Sequence, residues 1–246
     1  MKKILSLLIM ATFLFTAGSA FAGKKITVAC DTNFMPFEFK KDGEFVGFDI
    51  DLWDAIAKEI GIDYKLQPMD FNGIIPALQT NNVDVGIAGI TIKSEREKAV
   101  DFSYPYYQSG LRILVRADED DIKNMEDLAG KKVATKLATS SVDYLKKEYP
   151  DMDPKLFPNI DGAFMELRTG GVDAVLFDAP VVQYYANTAG KGAVRTVGPV
   201  YQGQYYGIAF PTGSDLREDV DVALLKLMED GTYAELYKKW FGEAPK

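Results

Sequence analysis

Two charged side chains follow short apolar runs that predict strands, and both could bind a small charged ligand. Arg96 comes shortly after residues 83–88, and its planar guanidinium can hold a carboxylate through two parallel hydrogen bonds, which a lysine cannot do. Asp178 directly follows residues 174–177 and could accept hydrogen bonds from an ammonium group. Ligands of α/β proteins bind at the carboxyl ends of strands, which suits both positions. The residues alone also allow simpler interpretations, a solvent-exposed arginine in a helical turn and a helix N-cap.

The composition limits which other chemistry the chain can carry out. Its 246 residues include no histidine and one cysteine, Cys30. A Ser-His-Asp triad, a Cys-His pair and a zinc site of several His or Cys ligands are excluded, because the necessary residues are absent. Cys30 cannot form an internal disulfide, and its apolar neighbours predict a small buried side chain. We expect no metal and no cofactor.

The charge and hydrophobicity of the chain indicate a globular protein that does not bind nucleic acid. Hydrophobic residues make up 47% and charged residues 26% of the sequence, and the formal net charge is −8. Phosphate binding needs clustered Lys and Arg, which an acidic chain does not favour. The acidic run at residues 118–121 lacks the later glycine and acid of a calcium loop, so we interpret it as a solvent-exposed loop.

Alternating strands and helices are predicted to position the candidate residues. The predicted strands are residues 25–29, 63–67, 83–88, 132–135 and 173–177. The predicted helices are residues 49–60, 73–79, 140–147, 161–168, 178–187, 215–229 and 232–240, with a short one opened by a capping box at Ser94–Glu97. This alternation predicts an α/β fold with largely parallel sheets.

Two long extended runs, residues 106–115 and 205–210, interrupt the alternation. Each could carry the chain from one lobe to another. We therefore predict two lobes, the first formed by residues 23–108 and 205–246 and the second by residues 109–204. The terminal helices should return to the first lobe.

The first 22 residues predict a secretory signal peptide. Lys2 and Lys3 precede an apolar run at residues 4–15, and an A-x-A cleavage site lies at residues 20–22. The apolar run is too short for a membrane-spanning helix, and no later stretch approaches the ~20 apolar residues that a span needs. We expect cleavage after Ala22 and a soluble periplasmic monomer.

One segment resembles a family signature at every signature position. It is Gly-Phe-Asp-Ile-Asp-Leu at residues 47–52, followed by Ile56, Ala57 and Ile60. The signature is that of family 3 of the bacterial extracellular solute-binding proteins, the periplasmic receptors of polar amino-acid ABC importers. It is also the pattern of an amphipathic helix packed on a sheet, so it marks the fold rather than the ligand.

Further segments look like the glutamine-binding members of that family, and the resemblance covers essentially the whole mature chain. These segments are residues 31–39, 68–79, 88–91, 95–96, 157–161 and 237–242. The resemblance implies a two-lobed type II periplasmic binding protein fold, in which each lobe is a mixed, mainly parallel sheet flanked by helices. Ligand would bind between the lobes, which close about two extended hinge crossovers.

The resemblance also implies how the α-amino-acid part of a ligand is held. Arg96 would bind the carboxylate, and Asp178 the ammonium. Thr91 and the carbonyl of Gly89 would complete the contacts, since a glycine lets the backbone come close. The hydroxyl of Ser140 could also donate to the ligand carboxylate.

Residues at the other end of the implied site match those that hold the glutamine side chain in the relatives. Asp31 and Lys136 would supply the acceptor and the donor that a side-chain amide needs. Phe34 and Phe71 match aromatic walls that sandwich the aliphatic part. Each also has a structural interpretation, as a strand-end turn residue, a surface lysine or a core aromatic.

Two departures from the relatives affect the predicted specificity. The segment 136–141 lacks the glycines usual there, and Phe177 stands where the best-known glutamine-binding relatives carry a histidine. Opposite charges at Asp31 and Lys136 favour a neutral amide, so we predict that glutamine binds more tightly than glutamate, arginine or histidine. The departures leave those other polar amino acids open as ligands.

The predicted function is therefore a non-enzymatic receptor that delivers a free L-amino acid, most of all glutamine, to the permease subunits of an ABC importer. One alternative is an exported enzyme on the same fold, similar to prephenate or arogenate dehydratases, which use a carboxylic acid in the cleft. A second is a shed sensor domain, but no membrane anchor or fused signalling module is expected in this chain.

Overall fold

The computed structural model describes residues 25–245, so the predicted signal peptide lies outside the described residues. In chain order the strands are β1 (Ile26–Asp31), β2 (Asn33–Phe34), β3 (Glu38–Lys41), β4 (Glu44–Val46), β5 (Tyr64–Met69), β6 (Val85–Gly86), β7 (Asp101–Phe102), β8 (Tyr107–Arg116), β9 (Val133–Lys136), β10 (Lys155–Phe157), β11 (Ala174–Asp178), β12 (Val194–Tyr206) and β13 (Ala209–Phe210). The helices are α1 (Phe48–Ile60), α2 (Phe71–Gln79), α3 (Ser94–Glu97), α4 (Ser140–Glu148), α5 (Ile160–Arg168), α6 (Ala179–Asn187), α7 (Leu216–Glu229) and α8 (Thr232–Phe241).

Two five-stranded sheets form the centres of the two lobes. The first has the order β5-β1-β6-β13-β7 and the second the order β10-β9-β11-β8-β12. In the first, β1 is parallel to β5 and β6, whereas β13 is antiparallel to β6 and β7. In the second, β9 is parallel to β10 and β11, whereas β8 is antiparallel to β11 and β12. Mixed sheets flanked by helices agree with the predicted fold class. Each sheet nevertheless contains two antiparallel strand pairs, more than the prediction of largely parallel sheets implies.

The long strands β8 and β12 run side by side and connect the lobes. Their pairing extends from Val194 opposite Arg116 to Tyr206 opposite Tyr107. The prediction for the second crossover, residues 205–210, was wrong in its bounds, because β12 begins at Val194 and ends before a short separate strand, β13. The predicted lobe boundaries, between 108 and 109 and between 204 and 205, fall inside β8 and β12 and stay a prediction.

Helix α1 carries the signature segment, and its sequence explains its position. Leu52, Trp53 and Ile56 are fully buried and form the stripe that packs on the core. Gly47 precedes the helix with a φ of 143°, and a Cβ there would lie 1.9 Å from the carbonyl oxygen of Phe37. The position therefore needs a glycine. Helices α7 and α8 pack on α1, as expected for terminal helices that return to the first lobe.

One local prediction was wrong, and one local feature was not predicted. The N-cap residue of α3 is Lys93 rather than Ser94, since the carbonyl of Lys93 accepts the backbone N–H groups of Arg96 and Glu97. The expected capping box is therefore absent from α3, which has no side-chain cap. The small antiparallel sheet of β2, β3 and β4 was not predicted at all.

The part of the chain that the structure describes contains neither a candidate membrane-spanning helix nor a candidate metal cluster. None of the helices between residues 25 and 245 is both long enough and apolar enough to cross a membrane. In the same part of the chain, no group of three or more His, Cys, Asp or Glu side chains is placed to hold a metal ion.

Candidate ligand-binding site

A small cavity lies between the two sheets and is lined by residues of both lobes. The structure brings every predicted site residue to this one cavity. Its lining residues are Asp31, Phe34, Phe71, Ala88, Gly89, Thr91, Arg96, Lys136, Thr139, Ser140, Phe177 and Asp178. Ala88, Thr139 and Phe177 were not among the predicted site residues.

Three of the four charged residues of the cavity stand at strand ends, as the sequence predicted. Asp31 is the last residue of β1, Lys136 the last of β9 and Asp178 the last of β11. Arg96 lies on α3, beyond β6. All four side chains are buried, with exposed fractions between 0% and 7%. A charge buried to this degree costs free energy unless a partner compensates for it, so the partners of each group determine what it can bind.

Arg96 is held by neutral oxygens. Its Nη1 donates to the carbonyl of Thr91 at 2.9 Å, and its Nη2 donates to the carbonyl of Ala138 at 3.2 Å, so it touches both lobes. Its guanidinium lies 5.2 Å from the centre of the Phe71 ring. Burial lowers the pKa of Arg96, and the charges of Asp143 and Asp178 oppose that shift. Among residues 25–245 no carboxylate forms an ion pair with Arg96, so its charge remains available to a ligand anion.

Asp178 likewise has a neutral partner. Its Oδ2 accepts a hydrogen bond from the hydroxyl of Tyr206 on β12, and its buried Oδ1 has no donor within the described part of the chain. Burial raises the pKa of Asp178 to about 6, against the opposing effects of Tyr206, Arg96 and Lys136. Asp178 occupies the N-cap position of α6, but its side chain makes no capping hydrogen bond. Helix capping therefore does not explain this carboxylate.

Asp31 and Lys136 form an ion pair with each other across the two lobes. Both side chains are 1% exposed, and the Lys136 Nζ also lies 5.6 Å from the centre of the Phe71 ring. The backbone N–H of Thr32 donates to Asp31 Oδ1 at 2.7 Å. The acceptor and donor predicted for a side-chain amide are thus present side by side, but each is already partnered by the other.

A third charge lies near this pair. Asp161, at the start of α5, accepts a hydrogen bond from the side chain of Asn33 in the other lobe. Burial raises the pKa of Asp161, an effect that the charge of Lys136 opposes and that of Asp31 reinforces. Asp161 does not line the cavity, but its carboxyl group adds an acidic side chain close to the Asp31–Lys136 pair. Asp161 ends the segment 157–161 that resembles the relatives, but its position beside Asp31 and Lys136 was not predicted, because it lies far along the chain from Asp31.

Gly89 is held in a conformation that suits only glycine. Its φ is 52°, and a Cβ there would lie 2.3 Å from a ring carbon of Phe34. The N–H of Gly89 donates to Oδ2 of Asp49 at 2.9 Å and approaches the hydroxyl oxygen of Tyr106 at 3.2 Å. Phe34 is also buried against the edge of the Phe177 ring, with 6.0 Å between ring centres.

Gln204, on β12, connects predicted site residues of both lobes. Its Oε1 accepts the hydroxyl of Thr91 at 3.0 Å and the hydroxyl of Ser140 at 2.8 Å. The Ser140 hydroxyl, which was expected to donate to a ligand carboxylate, therefore donates to Gln204 here. Nothing in the sequence pattern marked Gln204, because its role depends on where the two lobes meet.

Comparison with known proteins gives a consistent set of relatives. The sequence model of the family described as bacterial extracellular solute-binding proteins, family 3, matches residues 26–243. The ABC transporter arginine-binding protein 1 of Escherichia coli (strain K12) is 31% identical over 246 residues, covering 98% of this chain and 99% of that protein. The ABC transporter glutamine-binding protein GlnH of Bacillus subtilis (strain 168) is 34% identical over 223 residues, covering 89% of this chain and 81% of that protein.

A solved structure shows the same fold. An ancestral arginine-binding protein bound to glutamine is 46% identical to this chain and superimposes with a TM-score of 0.85, over 89% of this chain and 98% of that one. This likeness agrees with the two-lobed architecture.

Proposed function

Because the chain belongs to family 3 of the bacterial extracellular solute-binding proteins, we propose that it captures a free polar L-amino acid between its lobes and delivers it to an ABC importer. The observation that carries the proposal is the state of Arg96 and Asp178. Both are buried in one cavity, both are hydrogen-bonded to neutral groups, and they bear opposite charges. A zwitterion compensates both at once, because its carboxylate can pair with Arg96 and its ammonium with Asp178.

We propose glutamine as the preferred ligand. Asp31 and Lys136 supply an acceptor and a donor of opposite charge, which together suit a neutral amide. Glutamate would set its carboxylate against Asp31, and arginine would press its guanidinium on Lys136. Two like charges ~4 Å apart cost roughly 4 kcal/mol at an effective dielectric constant near 20.

Arginine is the second candidate, and Asp161 is the observation that favours it. The carboxylate of Asp161 adds a negative charge near Asp31 and Lys136. A cationic side chain long enough to reach Asp161 would gain from it. The relatives include both an arginine-binding and a glutamine-binding protein, which supports keeping both candidates.

Delivery requires that the protein be exported and that it close on its ligand. We propose that the chain is secreted to the periplasm by a cleaved signal peptide, acts as a monomer without catalysis, and docks on the permease subunits of the importer. Since β8 and β12 connect the lobes, rotation about these strands would open and close the cavity. Small-angle scattering of ligand-free protein should show a smaller radius of gyration after glutamine is added, and an unchanged profile would contradict closure.

The function is tested by calorimetric titration of the exported protein with each of the twenty amino acids, after unfolding and refolding to remove any retained ligand. We expect one site per chain, filled most tightly by glutamine. If arginine binds most tightly, the glutamine proposal fails while the receptor proposal stands. If no amino acid binds, the receptor proposal fails. Incubation with prephenate and arogenate tests the enzymatic alternative, and turnover of either would favour it.

A further inference from the structure

Two acidic side chains lie together in the core of the first lobe, behind the ligand site. Glu38 on β3 and Asp49 on α1 are both 0% exposed. The backbone N–H of Asp49 donates to the carbonyl of Phe37 at 2.9 Å, which holds the start of α1 against the residue before Glu38. Their carboxyl groups lie within hydrogen-bonding reach of one another.

No N–H or O–H donor of residues 25–245 reaches three of the four carboxyl oxygens of this pair. These oxygens are Glu38 Oε1, Glu38 Oε2 and Asp49 Oδ1. The fourth, Asp49 Oδ2, accepts the N–H of Gly89 and the hydroxyl of Tyr106, each at 2.9 Å. Two ionised carboxylates cannot hydrogen-bond to each other, because neither has a donor, whereas a carboxylic acid can donate to a carboxylate.

The groups that surround the pair supply no positive charge. The titratable groups that act on Glu38 are Cys30 and Asp31 of β1 and Asp49 of α1. Those close to Asp49 are the hydroxyl groups of Tyr106 and of Tyr233 on α8. No Lys or Arg side chain among residues 25–245 forms a hydrogen bond or an ion pair with either carboxyl group, and Lys136 is paired with Asp31. Two buried like charges without a counter-ion would be strongly unfavourable, so one proton must remain on the pair.

We propose that Glu38 retains this proton and donates it to an ionised Asp49, and that the pair positions Gly89 in the ligand site. Asp49 is the ionised partner, because it alone accepts two further donors. Burial and the charges of Asp49 and Asp31 raise the pKa of Glu38 well above its usual value, and burial raises that of Asp49 to about 6. Glu38 and Asp49 are thus positioning residues, and their role in binding rests on the proposed function.

The connection to the ligand site is direct. Gly89 stands at a φ of 52° and packs closely on Phe34, and its carbonyl is predicted to accept the ligand ammonium. The hydrogen bond from its N–H to Asp49 fixes the peptide group before Gly89. Loss of the Glu38 proton would leave two buried negative charges at this anchor and displace the Gly89 backbone from the cavity.

The first test is the pH dependence of unfolding, measured by denaturant titration of the wild-type protein and Glu38→Gln between pH 6.5 and 8.5. The chain has no histidine, so Cys30 is the side chain whose ordinary pKa lies nearest this window, and its thiol is common to both proteins. Glu38 is ionised in the unfolded chain and protonated in the folded protein, so the wild type loses stability as pH rises. Its unfolding constant should rise relative to that of Glu38→Gln by up to about tenfold per pH unit. Parallel profiles would overturn the proposal.

The second test is infrared spectroscopy at pH 8, where Asp178, with a pKa of about 6, is ionised. The wild-type protein should show the C=O stretching band of a protonated carboxyl group, and Glu38→Gln should lack it. Absence of the band from the wild type would overturn the shared proton. Neither this test nor the first uses a ligand, so their outcome is independent of the proposed receptor function.

The third test measures binding of L-glutamine and L-arginine at pH 7. Glu38→Leu removes the donor to Asp49, and affinity should fall by at least about tenfold, since a buried carboxylate oxygen is left unpaired. Glu38→Gln keeps a donor of the same shape and should restore most of the affinity. Equal losses of affinity in Glu38→Leu and Glu38→Gln would overturn the positioning role. If the wild-type protein shows the infrared band of the protonated carboxyl group but binds no amino acid, the shared proton stands and the proposed function fails.

Discussion

The two ends of the cavity hold their charges in different ways. At the end proposed to bind the α-amino-acid frame, Arg96 is hydrogen-bonded to backbone carbonyls and Asp178 to a tyrosine hydroxyl. At the end proposed to bind the side chain, Asp31 and Lys136 are paired with each other. The first pair of charges is buried and uncompensated by ions, whereas the second pair is buried and compensated.

This difference indicates what each end contributes to recognition. A zwitterion supplies the counter-charges that Arg96 and Asp178 lack, so the frame end should contribute most of the affinity for every amino acid. A side chain that enters the other end must compete with an existing ion pair. That end should therefore contribute less affinity and should mainly discriminate between ligands.

The largest effect is expected from Arg96→Lys, which removes the planar donor pair of the frame end. Affinity for every amino acid should fall by about 2–5 kcal/mol, because Lys cannot replace a bidentate contact with a carboxylate. Calorimetry measures the loss, and the exposed Arg168→Lys serves as the matched control. Binding within threefold of wild type would show that the frame end does not dominate.

Asp31→Asn should change selectivity rather than general affinity. It leaves Lys136 as an uncompensated cation, which favours glutamate and disfavours arginine. The affinity for glutamate divided by that for arginine should therefore rise by roughly a hundredfold, a change whose free energy lies within the several kcal/mol that two buried like charges cost. Titration of both amino acids under one condition measures the ratio.

The unpaired Lys136 should also lower the free energy of unfolding by about 3–5 kcal/mol, because it is a buried charge without a partner. A double variant, Asp31→Asn with Lys136→Met, removes both charges. It should recover the lost free energy of unfolding and favour neither glutamate nor arginine as ligand. A ratio unchanged in the single variant would show that the ion pair does not contact the ligand side chain.

Asp178 should make binding dependent on pH. Its pKa is raised to about 6, and only the ionised carboxylate can pair with an ammonium group. Affinity for glutamine should therefore be constant above about pH 7 and fall below pH 6, approaching tenfold per pH unit. Titrations from pH 5 to 8 measure this fall, which should be absent from Asp178→Asn. If the affinity still falls at low pH in Asp178→Asn, another group causes the pH dependence, and Asp49 is the first candidate.

The smallest effect is expected from Gln204→Ala. Its side chain joins Thr91 and Ser140 across the lobes, and a typical hydrogen bond contributes about 1 kcal/mol. Affinity should fall by severalfold, mostly through faster dissociation, because the bridge exists only while the lobes are together. Stopped-flow release of glutamine measures the rate, with the exposed Gln108→Ala as control. An unchanged release rate would remove Gln204 from the closure mechanism.

Much of the fold could be predicted because it depends on local patterns. The apolar stripe of α1, the alternation of strands with helices and the long runs in β8 and β12 are all visible in the chain. Arg96 and Asp178 could be predicted because they follow strands, and the carboxyl ends of strands share one edge of a sheet. The hairpin sheet of β2 to β4 could not, because its strands are short and carry little periodicity.

The sequence identified nine of the twelve residues that line the cavity, Arg96 and Asp178 from the predicted strands that they follow and the others from the family resemblance. Only the tertiary structure decided how those residues are partnered. Asp31 pairs with Lys136 at a separation of 105 residues, Gln204 bridges Thr91 and Ser140, and Glu38 lies against Asp49. Periodicity reports whether a side chain is buried, but hydrogen-bond partners depend on how separate elements and lobes approach within about 3 Å.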